Sequence, residues 1–256
     1  MEQMRPGPRT RRGSAAEAVA VTLAILSTAA VLGLHLHGPG ELTLERPLLD
    51  GSEGYAFLHV DRGTGLPARF DPCTPIAYVV NPEGAPRGTV DDVHEAFARA
   101  GAATGITFVY EGETDEAPVA GRASYQPERY GERWAPVLVA WTDEPGAPAT
   151  HRSDVLGSAT PTFITHPTRQ DVVVTGVITL ATEGRAVRPG FGPGRRWGNV
   201  ILHEVGHLLG LDHSPVRGEI MYPDAAHATG SWGDGDRAGL AHLGREAGCL
   251  RTPVPG

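Results

Sequence analysis

Short, nearly unbroken runs of apolar and β-branched residues stand at 76–80 (IAYVV), 106–110 (ITFVY), 137–141 (VLVAW) and 172–180 (VVVTGVITL). Runs of this length, bounded by Gly, Pro, Asn or Asp, predict buried strands. A looser run at 159–165 (Ala159, Thr160, Pro161, Thr162, Phe163, Ile164 and Thr165) contains a proline, which has no N–H for a central ladder and so predicts an edge strand. Helical spacing follows a different beat. Val93, Phe97 and Ala100 share one face of a helix that Thr89 caps and Gly101 or Gly105 stops. Residues 197–209 predict a second helix, entered from a Gly/Pro/Arg loop at 184–196, and residues 236–243 a third. Strands with one interposed helix, then helices late in the chain, predict an α/β (α+β) domain without internal repeats.

The amino terminus follows neither pattern. Arg5, Arg9, Arg11 and Arg12 precede a stretch at 15–36 whose only charge is Glu17. About 20 apolar residues span a bilayer, and arginines on the amino-terminal side hold that side in the cytoplasm. Two exported readings stand open: an uncleaved transmembrane signal anchor with the rest of the chain at the cell surface, or a cleaved signal peptide and a secreted chain. The expected organisation is a basic region at 1–14, the apolar segment at 15–36, a Gly/Pro-rich stalk or leader at 37–72, a folded domain at 73–250 and a tail at 251–256.

Charge sharpens this division. All 22 basic residues are arginine, and residues 1–14 carry a net +3 against −8 for the whole chain, which leaves −11 on the rest. An acidic body excludes nucleic acid as an expected partner, since phosphate binding needs clustered positive charge. Cys73 and Cys249 flank the folded region. In an oxidising compartment they predict a disulfide, the alternative being two free buried thiols.

The candidate chemistry lies at 203–213, His-Glu-Val-Gly-His-Leu-Leu-Gly-Leu-Asp-His. Residues four apart share a helix face, so His203 and His207 reach one zinc ion. Glu204 points partly aside, which suits a base acting on a water at the metal. Gly210 ends the helix in a left-handed conformation and lets His213 return as a third ligand. Three imidazoles leave one tetrahedral position open, the pattern of a catalytic zinc. With this composition, a chance H-E-x-x-H has a probability of about 3%, and the longer pattern about 2 in 10,000.

This motif, followed by Ser214 and by Ile220-Met221-Tyr222-Pro223, resembles the metzincin metalloproteases and among them the matrixins. The stretch from Asp236 to Gly244 is similar to their closing helix, and the resemblance covers residues 75–244, closest over 197–244. It implies a zinc metalloendopeptidase with a twisted, mostly parallel five-stranded sheet, an antiparallel edge strand beside the cleft and about three helices. It also implies that Met221 forms an apolar floor under the metal, and that a protein or peptide substrate adds to the edge strand at 159–165 as a further strand. The chain departs from the family at Ala225, where matrixins usually carry a tyrosine lining the specificity pocket, and it has no cysteine-switch leader. His151, Asp154 and His166 stand loosely where a second zinc site would be, and the acids at 111–116 are candidates for calcium. His94 and His242 lack ligand spacing, and Trp134, Trp141 and Trp197 read as core or cleft walls. Two non-catalytic readings compete: a catalytically silent zinc-binding surface module and a membrane-bound sensor or structural protein.

Overall fold

The computed structural model describes residues 54–142, 155–165, 169–182 and 187–255. The strands are β1 (Ala56–Phe57), β2 (Ile76–Asn81), β3 (Phe108–Glu113), β4 (Val137–Trp141), β5 (Gly157–Ile164), β6 (Val172–Leu180) and β7 (Leu211–Asp212). The helices are α1 (Thr89–Thr104), the single turn α2 (Pro127–Tyr130), α3 (Trp197–Leu209) and α4 (Asp234–Ala241). Five strands form one sheet in the order β3-β2-β4-β6-β5. All its pairs are parallel except β5 with β6, so β5 is the antiparallel edge that the proline predicts.

The sheet is covered on both faces, which is why β4 and β6 read as continuous apolar runs. On one face Val139, Trp141, Ile178 and Leu180 join Phe97 of α1 and Ile201, Val205 and Leu208 of α3 in the main core. On the other, Val79, Leu138, Ala140 and Val177 form a smaller cluster with Tyr130. Arg122 closes that face: it pairs with Glu116 at 2.7 Å and donates to Thr175 on β6 at 3.3 Å.

Several boundaries differ from expectation. The second apolar run begins its strand at Phe108, not residue 106, because Ile106 turns into the core and Ile76 pairs with Phe108. The acids expected in a turn at 111–116 therefore begin inside β3, an edge strand whose exposed side tolerates them. Gly88, not Thr89, occupies the N-cap of α1, and the Thr89 hydroxyl donates instead to the Pro86 carbonyl. α4 starts at Asp234, two residues early, because the Asp236 carboxylate caps it from inside its first turn by accepting from Gly233 N–H.

The largest correction concerns the expected stalk. Residues 54–72 belong to the folded body: Ala68 and Phe70 lie in the core, and Phe57 pairs with Leu211. The carbonyl of Gly54 accepts from the Ser214 hydroxyl, and Leu58 N–H donates to Gly210 O at 2.9 Å. The apolar segment at 15–36 lies outside the described residues, among which no helix is long and apolar enough to cross a membrane.

Cys73 and Cys249 form a disulfide across 176 residues, with Cα atoms 5.4 Å apart. Asp71 reinforces the same closure by accepting from both Cys73 N–H and Leu250 N–H. Cross-linking so long a loop restricts the unfolded chain, by up to about 5 kcal/mol in the chain-entropy model. Replacing both cysteines with serine is expected to lower unfolding stability by about 2–4 kcal/mol in a urea titration. An unchanged midpoint would show that the Asp71 contacts alone hold the termini together.

Candidate metal centre

α3 carries the centre because its sequence has two faces. Ile201, Leu202, Val205, Leu208 and Leu209 are buried against the sheet and α1, while His203 and His207, four apart, face a cleft. Trp197, fully buried, anchors the first turn. The helix ends at Gly210, whose φ of 119° is closed to most residues, and its N–H returns to Gly206 O and His207 O. The chain then enters β7, whose pairing with β1 fixes the approach of His213. The third histidine is thus placed by a strand that the sequence reading assigned to a stalk.

The three rings converge. Their centroids lie 4.6 Å (His203–His207), 5.2 Å (His203–His213) and 4.8 Å (His207–His213) apart. One nitrogen from each lies within 4.8 Å of the others, and Nε2 of His207 is 3.3 Å from Nε2 of His213. Two ligands at tetrahedral angles on a zinc ion, each at about 2.0–2.1 Å, stand about 3.3–3.4 Å apart, so this pair already has ligand spacing. The Nδ1 atoms of His203 and His207 meet the carbonyls of Ile220 at 2.7 Å and Leu211 at 2.8 Å. Donation there leaves the Nε2 lone pairs for a metal. Burial, with His207 close by, pulls His203 down to about 3, and burial pulls His207 down to about 4. Both rings are therefore neutral at physiological pH, the form that binds metal.

Glu204 is 5% exposed, and its Oε2 has no hydrogen-bond partner. Burial pushes its carboxyl up to about 8, a push that a cation in the cleft would oppose by favouring the charged form. An orphaned buried carboxylate oxygen beside three convergent imidazoles is a donor set that fits zinc. Among the described residues no fourth metal-binding side chain joins the cluster, which leaves room for water.

Met221 is fully buried, and its Sδ lies against the bare backbone of α3, only 2.3 Å from where a Cβ on Gly206 would stand. The turn that carries it is held by Asp236 of α4. One carboxylate oxygen accepts from Ile220 N–H at 2.6 Å and the other from Met221 N–H at 3.2 Å. The peptide between Ile220 and Met221 therefore faces Asp236 with its N–H and His203 with its carbonyl. Glu219 completes the junction by accepting from the N–H groups of Gly235 and Asp236. Burial, with the nearby Glu219 carboxylate, shifts Asp236 upward. Removing an outer partner of a metal-binding histidine typically costs roughly 10–100-fold in metal affinity. Asp236→Ala also strands three amides, at about 1–3 kcal/mol each where they stay buried. The variant is expected to bind zinc at least 10-fold more weakly in a competition titration with a chelating dye; wild-type affinity would exclude this support role.

The cleft measures about 600 Å³ and is lined by Leu58, Leu156, Gly157, Ser158, Ala159, Val200, Pro223 and Ala225 beside the three histidines and Glu204. Of the expected substrate strand only Ala159 lines it. Thr160, Pro161, Thr162, Phe163 and Ile164 continue β5 without lining it, and Thr165 falls beyond the strand. Ala225 does line the cleft, together with Arg195 and Asp224, which pair at 3.3 Å. A wider, shallower depression of about 910 Å³ near Glu111 and Arg129 shares no residue with this cleft.

Other sequence candidates resolve differently. Glu111 accepts from Arg133, Asp115 from Arg129, and Glu116 from Arg122, Gln126 and Tyr130. These carboxylates are committed to protein donors, and calcium is not supported there. His151, Asp154 and His166 lie outside the described residues. His94 bonds Tyr78 and His242 bonds Tyr55, away from the cluster. Trp141 and Trp197 are buried in the core, and Trp134 donates to Pro253 O in the tail. Asp71 lies close to Cys73 and Cys249, whose sulfurs are spent in the disulfide. Leu58, Gly157 and the role of Asp236 escaped the sequence reading. Only Asp236 left a trace there, at the head of the family-like closing stretch.

A comparison with curated proteins finds no match. The family model described as matrixin matches residues 191–243, the stretch that runs from the loop before α3 through the three histidines and Met221 to the end of the closing helix. Geometry and family model thus point to the same residues, and over 191–243 the chain is similar to the matrixin metalloproteases.

Proposed function

We propose that this chain is a zinc-dependent endopeptidase that hydrolyses internal peptide bonds of protein or peptide substrates. One observation carries the reading: three convergent imidazoles and a buried carboxylate with an unpartnered oxygen border the same cleft, beside the edge strand of a sheet. His203, His207 and His213 are the residues that would hold the metal. Zinc held there would supply Lewis acidity, enough to acidify a water toward a pKa of about 7 and to polarise the scissile carbonyl. Glu204 would take the proton from the attacking water and pass it on to the leaving amine as the C–N bond breaks. As the last strand of the sheet among the described residues, β5 would take an extended peptide alongside it, so main-chain bonds would supply affinity and the pocket at Val200, Pro223 and Ala225 selectivity.

Export fits the same reading. The arginine-flanked segment at 15–36 would carry the domain across a membrane, as an anchor or a cleaved leader, and the disulfide suits an oxidising compartment. Mass spectrometry of the exported amino terminus separates the two fates.

The test is digestion of casein and a quenched-peptide library by the purified full chain, with metal analysis. Activity that a chelator abolishes and zinc restores is the expected result. A chain that binds one zinc yet cleaves nothing would instead be a silent zinc-binding module.

A further inference from the structure

Gly157 opens β5 at the rim of the cleft. Its φ lies outside the left-handed region, so its backbone accepts any residue. What requires glycine is its neighbour. A Cβ at this position would stand 2.9 Å from Cγ, 3.1 Å from Cδ and 3.0 Å from Oε1 of Glu204. Those three atoms belong to the carboxylate arm, and they are the nearest atoms to that Cβ. Gly233 meets Glu219 in a similar way, with a Cβ 2.3 Å from Oε2, 2.4 Å from Cδ and 2.6 Å from Oε1, but that carboxylate is held by the N–H groups of Gly235 and Asp236; Gly176 differs in kind. At Gly176 a Cβ would meet Leu208 Cδ1 at 2.5 Å, the Thr160 carbonyl at 3.0 Å and Pro161 Cα at 3.2 Å, so core and backbone would have to move. At Gly157 the three nearest atoms all belong to the Glu204 side chain.

Glu204 has no hydrogen bond at Oε2 to hold its rotamer, and it is almost wholly enclosed. Packing must therefore set where its carboxylate stands. We infer that Gly157 is a positioning residue for Glu204: the bare α-carbon at the start of the edge strand leaves the space in which the carboxylate arm lies. A side chain there would turn the arm away while leaving the fold, the three histidines and the rest of the strand in place. The inference rests on the reading that Glu204 is the proton carrier, since a misplacement of about 1 Å can cost 100-fold in rate.

The experiment compares the full chain with Gly157→Ala, Gly157→Val and both again in a Glu204→Ala background. Zinc per chain, thermal midpoint, kcat and KM on one quenched peptide are read for each. The expected result is a kcat lowered about 10-fold by alanine and about 100-fold by valine, with KM changed far less. Zinc content stays at wild-type level, the thermal midpoint moves by no more than a few degrees, and neither substitution lowers the residual rate of Glu204→Ala. Wild-type kcat in Gly157→Val overturns the inference. So does a loss that follows zinc release, lowered melting or KM alone, or that persists undiminished without Glu204. A wild-type chain that binds zinc and cleaves nothing refutes the endopeptidase reading and this inference together; an active wild type with an unaffected Gly157→Val refutes this inference alone.

Discussion

Glu204→Ala is expected to keep the fold and the zinc while lowering kcat by about 10²–10⁴-fold, the range that a positioned general base contributes. The two halves of that expectation have separate causes. Glu204 is enclosed by its neighbours, Oε2 bonds to nothing, and burial alone raises its pKa to about 8. A buried carboxylate without partners contributes no stability to lose, so the variant is expected to melt no lower than wild type in the metal-free form. Zinc retention also survives, because the imidazole nitrogens of His203, His207 and His213 do not depend on the carboxylate. The chemistry is what goes, since the other acids lining the cleft are engaged elsewhere: Asp212 accepts from His213 N–H and Asp224 from Arg195. Zinc analysis beside a progress curve on a quenched peptide checks both halves. Wild-type turnover in the variant would remove Glu204 from the mechanism.

His213→Ala is expected to do the reverse, releasing metal before it perturbs anything else. His203 and His207 are held by α3 and by the carbonyls of Ile220 and Leu211, so two ligands persist. His213 is exposed, reached only through the short pairing of β7 with β1, and its ring packs against the other two histidines. Its loss removes a direct metal bond, which should weaken zinc binding by more than the roughly 10–100-fold that losing an outer partner costs. Dialysis against a mild chelator, followed by zinc analysis, should find the variant empty under conditions where the wild type keeps its ion. The metal-free forms of both should melt together. Full occupancy in His213→Ala would mean that the third ligand lies elsewhere.

Much of this arrangement is visible in the residues themselves, for identifiable reasons. β4, β6 and α3 fall where periodicity places them, because strands buried on both faces and a helix with a wide apolar face leave unambiguous patterns. The spacing of His203, His207 and His213, with Gly210 between, specifies convergence before any coordinates, since helix geometry and one left-handed residue are local properties. What escapes local reading is what depends on distant partners. A two-residue strand has no period, and β1 acquires its meaning only from Leu211 and Asp212, far along the chain. The start of β5 is hidden because Gly157 and Ser158 have little preference for strands, so the apolar signal begins only at Ala159. Asp236 looks like an ordinary helix-start acid, yet its carboxylate reaches back to Ile220 and Met221. Gly157 is quieter still, because its importance lies in a side chain it lacks.

Zinc K-edge X-ray absorption on the full chain loaded with one equivalent of zinc measures the proposed coordination directly. Three imidazole nitrogens at about 2.0–2.1 Å with one further light ligand from solvent is the predicted spectrum. A sulfur shell at about 2.3 Å, or only two imidazoles at the metal, would contradict it.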